Sequence, residues 1–204
     1  MKIGFKAIEA LRHNPKSFWS ESTFRGGGRS KFVRWQDSIG CYHSHNDDLK
    51  KAETYLRKTM SNVKTLKDEE LINYLGYLQQ YHLDYSKLQS TNFQYRKNFN
   101  FPLKLDYEFG GQIPRVDLNI DKDGYSIYFF EKELYDWEDE LRFPLLQNFM
   151  ATYFDCKNKD VYVGAYFLKE GKHRAKSYSQ KQVNDSVDEL NKIVTEIEKH
   201  RKKK

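Results

Sequence analysis

The spacing of apolar residues gives the chain a front half of helical period and a back half that alternates. FKAIEALRH, residues 5–13, predicts a short helix stopped by Asn14 and Pro15, because the residue before a proline is pushed out of the helical region. Residues 46–60 carry Leu49, Ala52, Leu56 and Met60 at helical spacing, and residues 68–83 do nearly the same with Leu71, Leu75, Leu78 and Leu83. Together they predict a helical hairpin. Ahead of it, SESTFRGGGRSKFVRW sets Gly26, Gly27 and Gly28 between Arg25 and Arg29, with Lys31 and Arg34 beyond, and predicts a flexible basic loop whose amides and guanidinium groups are candidates to bind nucleic-acid phosphates, with Arg115 a further candidate.

After residue 99 the period becomes two. FPLKLDYEF alternates, GG turns, IPRVDLNI alternates again, DKDG turns, and YSIYFF follows as a buried strand, which predicts a three-stranded antiparallel meander. Residues 138–154 read as a helix if Pro144 sits in its first turn. DVYVGAYFLKEG, residues 160–171, is apolar enough for a central or parallel strand. The last helix, residues 181–200, aligns Val183, Val187, Leu190, Ile193 or Val194, and Ile197 on one stripe. The expected fold is α/β (α+β): an N-terminal helical region, residues 1–98, packed on a β-β-β-α-β-α mixed-sheet core, residues 99–200, with a basic tail at 201–204. No internal repeat is visible.

A chain of 204 residues suits one domain, and its +6 formal charge and pI near 9.0 make a polyanion such as DNA a candidate partner. Two cysteines, Cys41 and Cys156, are too few for a disulfide framework or a zinc site. The first fifteen residues interleave charge with apolar positions, unlike a signal peptide, and no stretch is long and apolar enough to span a bilayer. The expectation is a cytoplasmic protein without membrane contact. Tyr (15) and Phe (14) are frequent, which fits base stacking or an AT-rich genome equally, the latter in keeping with a phage or mobile element.

Two carboxylates next to buried strands need an explanation, since a buried charge is costly unless it is paired or holds a metal. Asp121-Lys122-Asp123-Gly124 has the chemistry of a type I turn closed by a left-handed glycine, a three-residue loop joining Asp121 to Tyr125. Counting back sets Asp117 opposite Phe129 and Arg115 opposite Glu131, so that Asp117 and Glu131 become diagonal neighbours able to share a divalent cation. An even loop would turn Glu131 to the other face and leave Lys132 beside Asp117.

Asp117 in IPRVD, Glu131 ending the next strand, and the helix and buried strand beyond resemble the core of the PD-(D/E)XK (restriction-endonuclease-like) nuclease superfamily, in particular its RecB-like branch. The resemblance covers roughly the last half of the chain. It implies that Asp117 and Glu131 bind Mg or Mn, which activates water against a phosphodiester, that Gln147 matches the glutamine of RecB-like nucleases, and that an upstream histidine corresponds to His43 or His45. The family's lysine falls at Glu133 here; Lys132 is one residue early, and Lys104 or Arg115 are the other cations near the site. Ala151 stands where the family's glutamine helix carries an aromatic.

Each feature has a structural alternative. Asp117 and Glu131 are then strand-end charges, with Glu131 paired to Arg115; the loop of Arg25, Arg29, Lys31 and Arg34 is solvated rather than phosphate-bound; His43 and His45 are surface residues. The expected function is a metal-dependent nuclease acting on DNA. The alternative is a non-catalytic nucleic-acid-binding or protein-interaction regulatory module on a degenerate nuclease-like fold, with a possible protein partner.

Overall fold

The computed structural model describes residues 1–19, 29–120 and 124–201. Arg25, the three glycines beside it, the hairpin tip at 121–123 and the last three lysines lie outside the described residues. The elements run β1 (Lys2–Gly4), α1 (Ile8–His13), α2 (Lys31–Ser44), α3 (Leu49–Met60), α4 (Asp68–Tyr85), β2 (Ser90–Pro102), β3 (Glu108–Asn119), β4 (Gly124–Glu131), α5 (Arg142–Tyr153), β5 (Val161–Phe167), β6 (Lys172–Lys176) and α6 (Gln180–Lys199). They form a mixed α/β fold around one six-stranded sheet.

The expected hairpin of α3 and α4 and the β-β-β-α-β-α order are present, but Gly110 and Gly111, expected as the first turn of the meander, lie inside β3 and the chain turns instead at 103–107; there are also three additions. From Lys31 onward the expected loop is the helix α2: Ser30 accepts a hydrogen bond from the Val33 amide as its N-cap, and Trp35, Ile39 and Tyr42 bury one face. β1 adds a parallel strand from the far end of the chain, and β6 folds back on β5. The sheet therefore starts with residue 2, and the expected division at residue 98 falls inside β2. Pro144 does lie in the first turn of α5.

β3 is the hub of the sheet. β2 pairs antiparallel along one of its edges from Glu108 to Asn119, while β1 and β4 share the other edge, β1 over Glu108 to Gly110 and β4 over Arg115 to Asn119. The amide of Glu108 donates to Met1 and the carbonyl of Gly110 accepts from Phe5, so even-numbered residues of β3 turn their backbone groups to that second edge. Pro114 thus falls in the gap between β1 and β4, where its missing N–H removes no ladder bond.

The β3–β4 register differs from the expected one. Asp117 pairs with Ser126 and Arg115 with Tyr128, closing on Asn119 and Gly124. Gly124 is a strand residue, not the left-handed member of a turn: a Cβ on it would stand 2.0 Å from the Asp160 carbonyl oxygen. The close approach of the strand entering β5 demands the glycine, and the loop accordingly holds an even number of residues. One odd step in register moves every side chain of β4 to the opposite face.

Two cores follow from the alternation. Val116, Ile127, Phe129, Val163, Ala165 and Phe167 face α1, α5 and α6. On the other face Phe130, Tyr166 and Leu168 pack with Trp35, Ile39, Leu56, Leu78 and Tyr81 from α2, α3 and α4. Among the described residues no helix is long and apolar enough to cross a membrane.

Candidate functional site

The α2–α4 face of the sheet carries charge into its centre. β3 places Arg115 and Asp117 side by side on that face, both with 0% of the side chain exposed, and Arg115 Nη2 lies 2.9 Å from Asp117 Oδ2. A buried ion pair is tolerable only where the remaining polar atoms find compensation. Here the guanidinium is enclosed by tyrosine rings, its carbon 4.4 Å from the centroid of Tyr128, 5.1 Å from Tyr85 and 5.4 Å from Tyr81. Arg115 Nη1 also donates to the Tyr81 hydroxyl, and Asn92 Nδ2 donates to Asp117 Oδ1 at 3.3 Å. Burial pushes the Asp117 carboxyl up while Arg115 opposes it, and Asp117 with the tyrosine oxygens outweighs burial to hold Arg115 protonated.

Tyr81 extends the network outward. Since its oxygen accepts from Arg115, its proton points to His43 Nε2 at 2.7 Å, and His43 Nδ1 donates to Asp47 Oδ1 at 2.8 Å. Burial lowers the His43 pKa, so the ring is neutral and this polarity holds. A second histidine, His173 on β6, meets the same tyrosines. Asp84, at the end of α4, accepts through Oδ2 from the His173 backbone amide at 2.8 Å and from Nδ1 at 2.5 Å. Burial and then the nearby Arg115 charge take the His173 pKa down to about 3. Its Nε2 is consequently an unprotonated acceptor, and no hydrogen-bond partner meets it among the described residues.

The expected metal pair does not assemble. Glu131 is on the α5 face, where Lys6 Nζ and Arg142 Nη2 each approach Oε1 to 3.1 Å, while Asp117 is on the other face beside Arg115. The expected pairing of Arg115 with Glu131 is likewise replaced, by Asp117 and Arg142 respectively. Lys132 lies just beyond β4 with Nζ 5.7 Å from the Phe32 ring. Gln147 is buried on the α5 side and donates to the carbonyls of Asn158 and Tyr178, both at 2.9 Å, while accepting from the Tyr178 amide at 2.6 Å. It clamps the chain before β5 to the start of α6. Among the described residues no group of three or more His, Cys, Asp or Glu side chains is arranged to hold a metal. The donor set does not fit a divalent ion shared by Asp117 and Glu131, because a guanidinium already faces the first and the sheet separates the second.

The expected phosphate-binding cations are also engaged within the protein. Arg29 pairs with Asp37 at 3.1 Å, Lys31 with Glu70 at 2.6 Å, and Arg34 donates to the Thr59 carbonyl at 2.7 Å. Arg115 is buried, and Arg25 lies outside the described residues. His45 sits against the Cys41 carbonyl at 2.9 Å, at the end of α2.

A different basic surface is open. Lys50, Thr54, Arg57, Lys58 and Ser61 line one face of α3 and its C-terminus, with Lys51 two turns before Lys58 and Lys64 and Lys67 following the helix, all exposed. None of these six cations takes part in the ion pairs of the described residues. A groove of about 390 Å³ runs beside them, between His45 and Lys58.

The sequence signal for α3 was its apolar stripe, which draws attention away from the four cations Lys50, Lys51, Arg57 and Lys58 exposed on the rest of the helix. For His173 and Asp84 no local signal exists, since they are 89 residues apart and meet only through the packing of α4 on β6. No protein-family model matches the chain, and no curated protein is similar to it in sequence.

Proposed function

We propose that the protein is a nucleic-acid-binding module whose contact surface is the exposed face of α3 and the turn after it. The observation that carries this reading is the run of six exposed cations, Lys50, Lys51, Arg57, Lys58, Lys64 and Lys67, interrupted between residues 50 and 67 by the single acid Glu53, which accepts from Gln79. Such a surface neutralises phosphates without reading bases. The Arg115–Asp117 pair supports a non-catalytic role for the nuclease-like core, because the guanidinium supplies the positive charge that a cation would bring to the carboxylate. A nuclease reading retains one favourable observation: His43 is close enough to Asp117 to influence it electrostatically, as the upstream histidine of a RecB-like site would be.

Fluorescence anisotropy on labelled single- and double-stranded DNA and RNA over a range of NaCl concentrations tests the proposal. With Lys50, Lys51, Arg57 and Lys58 replaced by Ala, the slope of log K against log salt on duplex should flatten by roughly three to four, about 0.9 for each lost phosphate contact. An unchanged slope would remove α3 from the interface. Incubation of the same substrates with Mn²⁺ reads the nuclease alternative: cleavage that Asp117→Asn abolishes would replace the binding-module reading.

A further inference from the structure

α5 covers the sheet only as far as Tyr153, and the strand ends beyond it are exposed. The face of the sheet that packs on α5 continues past Val116 and Ile127 to Leu118, Ile120 and Tyr125, with Leu118 paired to Tyr125. The bulge in β2 between Asn92 and Gln94 turns Phe93 onto the same face, where its ring centroid is 6.0 Å from that of Tyr125 and 5.9 Å from that of Phe154. Phe154 in turn stacks on Tyr125 at 3.9 Å and meets Tyr153 edge-on at 5.1 Å. Ile120 is 64% exposed, Phe93 and Tyr153 each 49% and Leu118 42%, so four large apolar side chains open to water form one continuous surface.

Taking roughly 150–250 Å² for a whole aromatic side chain and somewhat less for an aliphatic one, these four leave roughly 400 Å² of apolar surface in water. Contiguous apolar surface of this size is the usual mark of a contact. A standard interface buries about 800 Å² on each side, of which about 57% is apolar, so the patch holds most of the apolar area that one side of a stable contact needs. Its setting selects the partner. The exposed charges at its margin, Lys97, Asp155 and Lys157, nearly cancel, and Lys97 Nζ is turned to the Tyr153 hydroxyl at 3.0 Å. The six cations of the α3 surface lie with that helix on the other face of the sheet, so no field at the patch favours a polyanion. A second copy of the chain brings the same apolar area and little like charge to repel. We propose that two copies associate through this patch about a two-fold axis. Side chains make the contact: β2 is an edge strand, but the bulge at Phe93 and the left-handed backbone of Arg96 (φ 50°) interrupt the row of outward amides that a continued sheet would use. The assembly leaves both α3 surfaces open and is independent of the nucleic-acid reading.

Sedimentation velocity on the full chain from about 1 to 100 µM tests this, and the wild type should pass from monomer to dimer over that range. Leu118→Lys with Ile120→Lys should raise the dimer dissociation constant ten-fold or more, with circular dichroism and melting of the monomer unchanged. Ile120→Lys alone, at the most exposed of the four positions, should weaken the dimer several-fold, which keeps the test independent of any strain at Leu118. Ile72→Lys, a comparably exposed change on α4, should leave the dimer as it is. Because the contact is apolar, added NaCl should preserve the dimer while it weakens binding of nucleic acid to α3. A wild type that stays monomeric throughout, a dimer indifferent to the paired lysines or weakened equally by Ile72→Lys, or a dimer that dissolves in salt would overturn the proposal. A monomeric wild type whose affinity for a single-stranded oligonucleotide falls with the paired lysines would assign the patch to nucleic-acid bases instead.

Discussion

The two faces of the sheet use the same strands for different ends. Toward α1, α5 and α6 the strands present Val116, Ile127, Phe129, Val163, Ala165 and Phe167, the buried Gln147 has both ends of its amide satisfied, and the buried Arg142 at the start of α5 faces Glu131 and Glu140. Toward α2 and α4 the residues one step along present Arg115, Asp117, Tyr128, Tyr166 and His173, and polar capacity is left over: Arg115 Nε, the Tyr85 and Tyr166 hydroxyls and His173 Nε2 have no hydrogen-bond partner among the described residues. A period of two lets one segment supply a hydrocarbon seal on one face and a charged wall on the other. The Gln147 amide ties α5 to the segments that precede β5 and α6, whereas the Arg115 network ties the middle of the sheet to α4 through Tyr81.

The sharpest way to break this contrast is to remove one charge from the polar face. Arg115→Met leaves Asp117 buried without its partner and should cost about 3–5 kcal/mol in urea unfolding, whereas Arg115→Met with Asp117→Leu should recover most of that loss. A double variant as unstable as the single would show that the pair is needed for more than its own neutralisation.

A smaller effect comes from pH. His173 has its folded pKa lowered to about 3, below an unfolded value of about 6.5, so the unfolded state binds the extra proton in between. Its contribution to stability is complete above the unfolded value and is lost as pH falls toward 3. Between pH 6.5 and 5 the loss should be about 2 kcal/mol, and His173→Gln should lack that portion of the slope. Identical pH dependence in wild type and variant would mean that His173 is already charged in the folded protein.

On the opposite face, Glu131→Gln should cost about 1 kcal/mol or less, because Lys6 is largely exposed and only Arg142 is buried beside it. Its melting temperature should respond to Mn²⁺ no differently from wild type. Stabilisation by Mn²⁺ that Glu131→Gln removes would restore this carboxylate as a metal ligand.

Much of the architecture was legible because it rests on periodicity. The stripes of α3, α4 and α6 and the alternation of β3 each encode a buried face in a single stretch. The rest depended on partners distant in sequence. α2 was hidden because its first turn, with Lys31 and Arg34, continues the basic pattern of the glycine-rich stretch before it, and β1 and β6 are too short to show a period. The register was lost at Gly124, where a glycine imposed by the Asp160 carbonyl has the same one-letter appearance as a glycine imposed by a turn. That one residue decided whether two acids shared a face. Of the candidate site, Asp117 and His43 were visible as residue types, but the arginine that closes on Asp117 was assigned to Glu131, and His173 could not be linked to Asp84 before the fold brought them together.

The gap at Pro114 has a consequence for how the molecule assembles. Because β1 and β4 occupy separate stretches of the same edge of β3, neither needs the other for its ladder, and β2 to β6 can form a continuous sheet before β1 arrives. β1 must close a loop across most of the helical region, since the Met1 amino group meets the Asp106 carbonyl 105 residues away. Closing so long a loop carries an entropic cost that nearby hairpins avoid. β1 is therefore the last strand expected to dock and the first able to leave, a latch of three residues that holds Ile3 in the apolar core without taking part in the polar one.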